Sequence, residues 1–193
     1  MKPQVFVTRK IPESVLTLLR KVCEVEYFPA DDHPPPNEFL SHMENKQAIL
    51  CCSADPIDAA FLSAHSQLKI VATRAVGYDN IDVGTATRHG IAVTNTPGVL
   101  TEATADCAFG LLIAIARRIV ESDIYVREKR WDRLRIALLL GSDVGGRTLG
   151  IIGMGRIGQA VARRALGFGM NVLYHNRSQV KPAIEQSLNA TWC

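Results

Sequence analysis

A chain of 193 residues, 47% of them hydrophobic, has enough apolar material for one large core or two small ones. Its net charge of +3 is spread without a basic block, which removes any electrostatic ground for binding nucleic acid or an anionic membrane. The five cysteines, Cys23, Cys51, Cys52, Cys107 and Cys193, are odd in number and form no C-x-x-C, so buried thiols in a reducing, cytoplasmic compartment explain them better than disulfides or a metal site.

The first residues show no signal-peptide pattern, and no apolar run reaches the roughly eighteen residues a bilayer span needs. Residues 5–7 read as a strand, and 12–22 as an amphipathic helix with Val15, Leu16, Leu18, Leu19 and Val22 at helical spacing. A second strand is expected over 24–27, then a proline-rich loop over 31–36 and a short helix over 37–45. Residues 48–52 form an apolar strand, after which Asp55-Pro56 has the pattern of an N-cap and first helical position for a helix over 57–64. Strands over 68–72 and 91–93 flank a helix over 81–89. Strands alternating with helices imply a parallel sheet covered on both faces.

Residues 94–98 lead out of this first unit, with Pro97-Gly98 as punctuation. A long helix is expected from Thr101 to about Lys129, apolar almost all round over 107–116, followed by an irregular arm over 131–142 whose apolar run suits a subunit contact and, nearly as well, an ordinary core segment. Residues 149–158, Leu-Gly-Ile-Ile-Gly-Met-Gly-Arg-Ile-Gly, then place Gly153, Gly155 and Gly158 in a G-x-G-x-x-G between a strand and a helix. A second strand over 171–174 completes a βαβ unit, and a pyrophosphate can rest on unpaired N–H groups at such a helix start. About twenty residues on, where a carboxylate would accept from a ribose 2′-hydroxyl, stand His175, Asn176, Arg177 and Ser178. A guanidinium and a hydroxyl suit a 2′-phosphate, so NADPH is expected over NADH, with NAD the alternative cofactor.

The turn 74–79 after one strand can offer backbone N–H groups to an anion; equally, Gly77 can serve only a tight turn and Asp79 only a helix cap. Cys52 and Ser53 follow another strand end.

Four stretches resemble the D-isomer-specific 2-hydroxyacid dehydrogenase family: Val76-Gly77-Tyr78-Asp79-Asn80-Ile81-Asp82, Asn95-Thr96-Pro97-Gly98-Val99-Leu100-Thr101-Glu102, Thr104-Ala105-Asp106, and 149–158 with the helix after it. The resemblance implies an α/β protein with a flavodoxin-like substrate domain over 1–98 and an incomplete Rossmann, doubly wound dinucleotide-binding domain over 99–193. It implies hydride transfer to a small 2-oxo acid, glyoxylate or hydroxypyruvate, by an enzyme that is a homodimer in full-length form. Substrate contacts are expected at Cys52, Val76 and Gly77. Cofactor contacts are expected at Thr104, Gly153, Met154, Gly155, Arg156, Ile157, Gly158, Asn176, Arg177 and Ser178. The arginine, glutamate and histidine that do the family's chemistry fall beyond Cys193 in this comparison, so the polypeptide alone is expected to be inactive. His33, His42, His65, His89 and His175 match none of them, and with only two strands in its second half the strand before Gly153 is expected to be a bare edge. Two other readings remain open: a dehydrogenase for phosphite or another 2-hydroxy acid, and a non-enzymatic NAD(P)-binding interaction protein.

Overall fold

In the computed structural model, residues 1–32 and 34–193 are described; His33 lies outside them. The chain divides into two compact units, Met1–Pro97 and Gly98–Cys193. Among the described residues no helix is long and apolar enough to cross a membrane.

In the first unit, strands β1 (Gln4–Val7), β2 (Glu24–Tyr27), β3 (Ala48–Cys51), β4 (Ile70–Thr73) and β5 (Ala92–Thr94) alternate with helices α1 (Glu13–Val22), α2 (Pro36–Ser41), α3 (Ala59–Ala64) and α4 (Val83–Arg88). The sheet is wholly parallel in the order β2-β1-β3-β4-β5, the flavodoxin-like order. Phe6, Ile49 and Val71 on the central strands pack with Leu62, Ile81, Ala86 and Ile91 into one buried cluster, which makes the inner strands continuous apolar runs.

Two local readings need correction. Asp55 does not cap a helix: its carboxylate is fully buried, accepting from Thr8 Oγ1 at 2.6 Å and the Cys52 N–H at 2.8 Å, with Arg9 Nη2 at 3.4 Å. Asp58 caps α3 instead by accepting from the Phe61 N–H, and Ile57 is drawn into a bridge with Ile81. Likewise Asp82, not Asp79, caps α4, through the Thr85 N–H at 2.7 Å.

Glu26 on β2 faces Lys46 Nζ at 2.6 Å and His42 Nδ1. Burial raises its carboxyl pKa, but the hydrogen bonds from Lys46 and then His42 outweigh that and hold it below the ordinary glutamate value. The unfolded chain therefore takes up this proton first as pH falls, so the contact supports the fold above the ordinary glutamate value and that support is lost through the lower, native one. Urea midpoints at neutral pH and at about pH 4 should fall further apart in the natural protein than in Glu26→Gln. An equal fall in both would show that the carboxylate contributes nothing.

The second unit carries α5 (Thr101–Ala116), α6 (Ile119–Arg127), β6 (Thr148–Ile152), α7 (Arg156–Leu166), β7 (Asn171–His175), α8 (Pro182–Leu188) and β8 (Ala190–Trp192). The single helix expected from Thr101 to Lys129 is two, because Arg118 adopts a left-handed φ of 52° and breaks the ladder. The sheet has three strands rather than two, ordered β6-β7-β8 and parallel, the 3-2-1 half of a doubly wound sheet. Val172 and Tyr174 of β7 pack with Phe109, Met154, Ala162 and Ala165 on one face, whereas Leu173 and Ile152 point to the open face. β6 has no outer neighbour among the described residues, and Ile152 is 94% exposed. On α5 only Ala105 and Phe109 are buried, and the arm leaves Leu134, Ile136 and Leu140 exposed rather than in a core of this chain.

Candidate functional site

In the second unit β6 ends at Ile152 and the chain turns at Gly153, where φ is +99°, a conformation that favours glycine. The turn is fastened across the sheet: the Gly153 N–H donates to His175 O at 2.9 Å, the Met154 N–H to Asn176 Oδ1 at 2.7 Å, and Gln159 Nε2 to Met154 O at 3.1 Å. Met154 is thereby buried, with both its backbone polar groups occupied, and can border a ligand only by packing. Gly155 caps α7 without a side-chain bond, and the N–H groups of Gly155, Arg156 and Ile157 have no partner among the described residues. A Cβ at Gly155 would meet nothing within 4 Å, so an anion can reach the turn. At Gly158 a Cβ would lie 2.2 Å from Gly153 O, so helix and turn are in backbone contact there. These unpaired donors, the positive end of an 11-residue helix and the open approach fit a pyrophosphate.

Asn176, Arg177 and Ser178 follow β7 directly. Asn176 is half-buried and bound to the turn, and its carbonyl accepts from Trp192 Nε1 at 3.4 Å. The side chains of Arg177 and Ser178 are exposed and make no hydrogen bond or ion pair among the described residues. Thr104 lies exposed on α5 of the same unit.

In the first unit the turn 74–80 follows β4. The N–H groups of Val76 and Gly77 have no partner among the described residues. Gly77 is not in a left-handed conformation, and a Cβ there would meet only Asp79 Oδ2, at 3.6 Å. Glycine is thus not required by the turn. Cys52 belongs to the neighbouring loop: its N–H is held by Asp55, and its carbonyl accepts from Asn80 Nδ2 at 3.1 Å. Asn80 Nδ2 also donates to Asp55 O at 2.7 Å, which ties the Cys52 loop to the Val76 turn. The adjacent Cys51 thiol is pushed up to about 12 by burial and then by the Asp55 charge, so it stays protonated and is no nucleophile. A cavity of about 270 Å³ lined by Tyr78, Val83, Val93, Thr94 and Asn95 lies beside this turn. A more apolar one of about 390 Å³, lined by Phe39, Phe61 and His65 among others, holds none of the expected site residues.

Of the histidines, His42 stacks on Phe6 and contacts Glu26, His65 Nδ1 pairs with Phe61 O, His89 ends α4, and His175 Nδ1 pairs with Cys193 O. Among the described residues no cluster of His, Cys, Asp and Glu could hold a metal ion. Sequence reasoning missed the contacts of Asp55, Asn80 and Gln159. Asp55 reaches Thr8 and Asn80 reaches the Cys52 loop across long stretches of chain, and no local pattern marks these contacts.

Residues 5–190 match the family model described as D-isomer specific 2-hydroxyacid dehydrogenase, catalytic domain. A glyoxylate reductase of Thermococcus gammatolerans is 50% identical over 98% of this chain and 58% of its own length. Among solved structures, a protein of Thermus thermophilus is 47% identical with a TM-score of 0.86, covering 93% of this chain and 57% of that one. An NADPH-dependent glyoxylate/hydroxypyruvate reductase from Sinorhizobium meliloti is 33% identical with a TM-score of 0.78, covering 100% and 58%. The chain thus spans 58% of the length of the Thermococcus relative.

Proposed function

This chain belongs to the D-isomer specific 2-hydroxyacid dehydrogenase family, an oxidoreductase family, and from that membership we propose that it carries the carboxylate-binding turn and the first dinucleotide-binding half of an NADPH-preferring glyoxylate or hydroxypyruvate reductase. In this reading a 2-oxo acid gains a hydride at its carbonyl carbon, which the cofactor supplies when bound, and a proton at its carbonyl oxygen. Val76 and Gly77, in a substrate unit that also offers Cys52, donate their N–H groups to the substrate carboxylate. Gly155, Arg156 and Ile157 donate to the pyrophosphate, Gly153 and Gly158 shape that turn, Met154 packs beneath it, and Thr104 borders the cofactor. The exposed apolar residues Ile119, Ile124, Leu134, Ile136 and Leu140 support a homodimer contact.

The observation that carries the cofactor preference is the end of β7: two exposed, unengaged side chains, a guanidinium and a hydroxyl, where a carboxylate would repel a 2′-phosphate. Arg177→Ala should weaken NADPH binding by a charge-assisted contact, about 1–3 kcal/mol or roughly 5- to 150-fold, while leaving NADH binding nearly unchanged. Fluorescence titration with both nucleotides checks this. Equal loss for both would remove Arg177 from the 2′-phosphate.

The S. meliloti relative is NADPH-dependent by description and acts on glyoxylate and hydroxypyruvate, which supports the same choice. Turnover needs in addition a general acid for the carbonyl oxygen and a cation to polarise it. No described histidine has its partners at the Val76–Gly77 turn, which supports the reading that the 193 residues alone bind but do not reduce.

A further inference from the structure

We propose that Asn95 and Thr96 are positioning residues that aim the Val76 and Gly77 N–H groups, each fixing one of the two; the inference rests on the proposed role of that turn as the seat of a substrate carboxylate. The argument is one of peptide geometry. In a planar trans peptide the carbonyl of one residue points opposite to the N–H of the next, so whatever holds the carbonyl aims that N–H. The Ala75 carbonyl is held twice, by the Thr96 N–H and by Thr96 Oγ1, both at 3.1 Å. Its peptide partner, the Val76 N–H, is thereby turned away from the β5 side. The Val76 carbonyl is held by Asn95 Nδ2 at 2.8 Å, and the Gly77 N–H is turned away in the same manner.

The residues before this pair have their N–H groups engaged, whereas those of Tyr78, Asp79 and Asn80 after it, like the pair itself, have no partner among the described residues. The Ala75 N–H donates to Thr73 Oγ1 at 3.2 Å, and the Arg74 N–H to Cys51 O at 3.0 Å. Two successive carbonyls pinned to the residues just after β5 therefore set the direction of the Val76 and Gly77 N–H groups, which point the other way. Two donors so placed match the two oxygens of a carboxylate, and they are set before any ligand arrives, so little of the binding free energy goes into ordering them. Asn95 is suited to this because its amide donates without carrying charge; a lysine would attract the substrate carboxylate to the wrong side of the turn.

The test is a two-dimensional amide NMR titration of the 193-residue chain with sodium oxamate, a stable 2-oxo acid mimic, against sodium chloride. In the natural sequence the Val76 and Gly77 amides should shift together and saturate with oxamate only. Asn95→Ala frees the peptide between Val76 and Gly77, so Gly77 should lose most of its response and affinity should fall on the order of tenfold, while Val76 still responds. Thr96→Val removes one of two donors to Ala75 but keeps the backbone donor, so the fold is retained and the smaller loss falls on Val76 alone. If neither amide moves in the natural sequence, the carboxylate seat itself is wrong and the inference falls with it. If both move there, but Asn95→Ala and Thr96→Val each leave the pair unchanged or weaken both amides alike, the seat stands and the positioning roles are overturned. Should Asn95→Ala fail to fold, Thr96→Val decides alone, by whether Val76 falls behind Gly77.

Discussion

Given NADPH and glyoxylate, the 193-residue polypeptide is expected to show no oxidation of the cofactor above the uncatalysed background. A general acid is worth about 10²–10⁴ in rate, and a fixed charge or donor on the carbonyl oxygen about 10²–10³. Lack of the acid alone therefore removes on the order of 10²–10⁴, even where substrate and cofactor are held. Three of the described histidines are engaged elsewhere, His42 against Glu26 and Phe6, His65 on Phe61 O and His175 on Cys193 O, and His89 lies at the end of α4. The backbone donors of Val76 and Gly77 can hold a carboxylate, but a carboxylate seat binds ground state and transition state about equally and raises no rate by itself. Cofactor consumption followed at saturating NADPH is the check. Turnover at an ordinary enzyme rate would mean that an acid exists on these residues that the geometry does not reveal.

Gly158→Ala is expected to abolish dinucleotide binding and to destabilise the second unit. The new Cβ would stand 2.2 Å from Gly153 O and 3.1 Å from Gly153 C. Neither atom can give way cheaply: the Gly153 N–H is committed to His175 O, the turn passes through a left-handed φ at Gly153, and the next peptide is fastened by Asn176 and Gln159. Forcing the helix off the turn costs on the order of 1–3 kcal/mol as overpacking, and more where backbone must move. Gly155→Ala is the matching control, since a Cβ there meets nothing within 4 Å and the backbone is extended at φ −78°. It should unfold at the same urea concentration as the natural chain while NADPH binding weakens, because the methyl occupies the approach to the phosphates. Comparable loss of stability in both variants would show that Gly158 is not a packing contact.

The alternation of strands and helices in the first unit was legible because each buried strand is a short apolar run and each helix has a face. That the sheet is parallel was legible from this alternation, while its flavodoxin-like order came with the family resemblance. What escaped was set at a distance. Asp55-Pro56 has the local form of a helix start, but Thr8 and Arg9, nearly fifty residues earlier, draw the carboxylate inward. The break between α5 and α6 falls at Arg118, with neither glycine nor asparagine to announce a left-handed residue. β8 is three residues long, too short for a period to show, and exists because Val172, Leu173 and Tyr174 offer it an edge. At the dinucleotide turn the spacing of the glycines carried the geometry. At the turn after β4 the sequence pointed to backbone N–H groups, but the hydrogen bond from Asn95 Nδ2 to Val76 O could not be anticipated, since it leaves no trace in either neighbourhood.

Trp192 gives the second unit an optical reporter of its own. Its indole N–H rests on Asn176 O, one residue from Arg177, so its emission arises beside the loop on which the adenosine end of the nucleotide is proposed to lie. The other tryptophan, Trp131, stands exposed in the arm. Occupancy of the loop can therefore be followed by a change in the emission of Trp192, without attaching a dye.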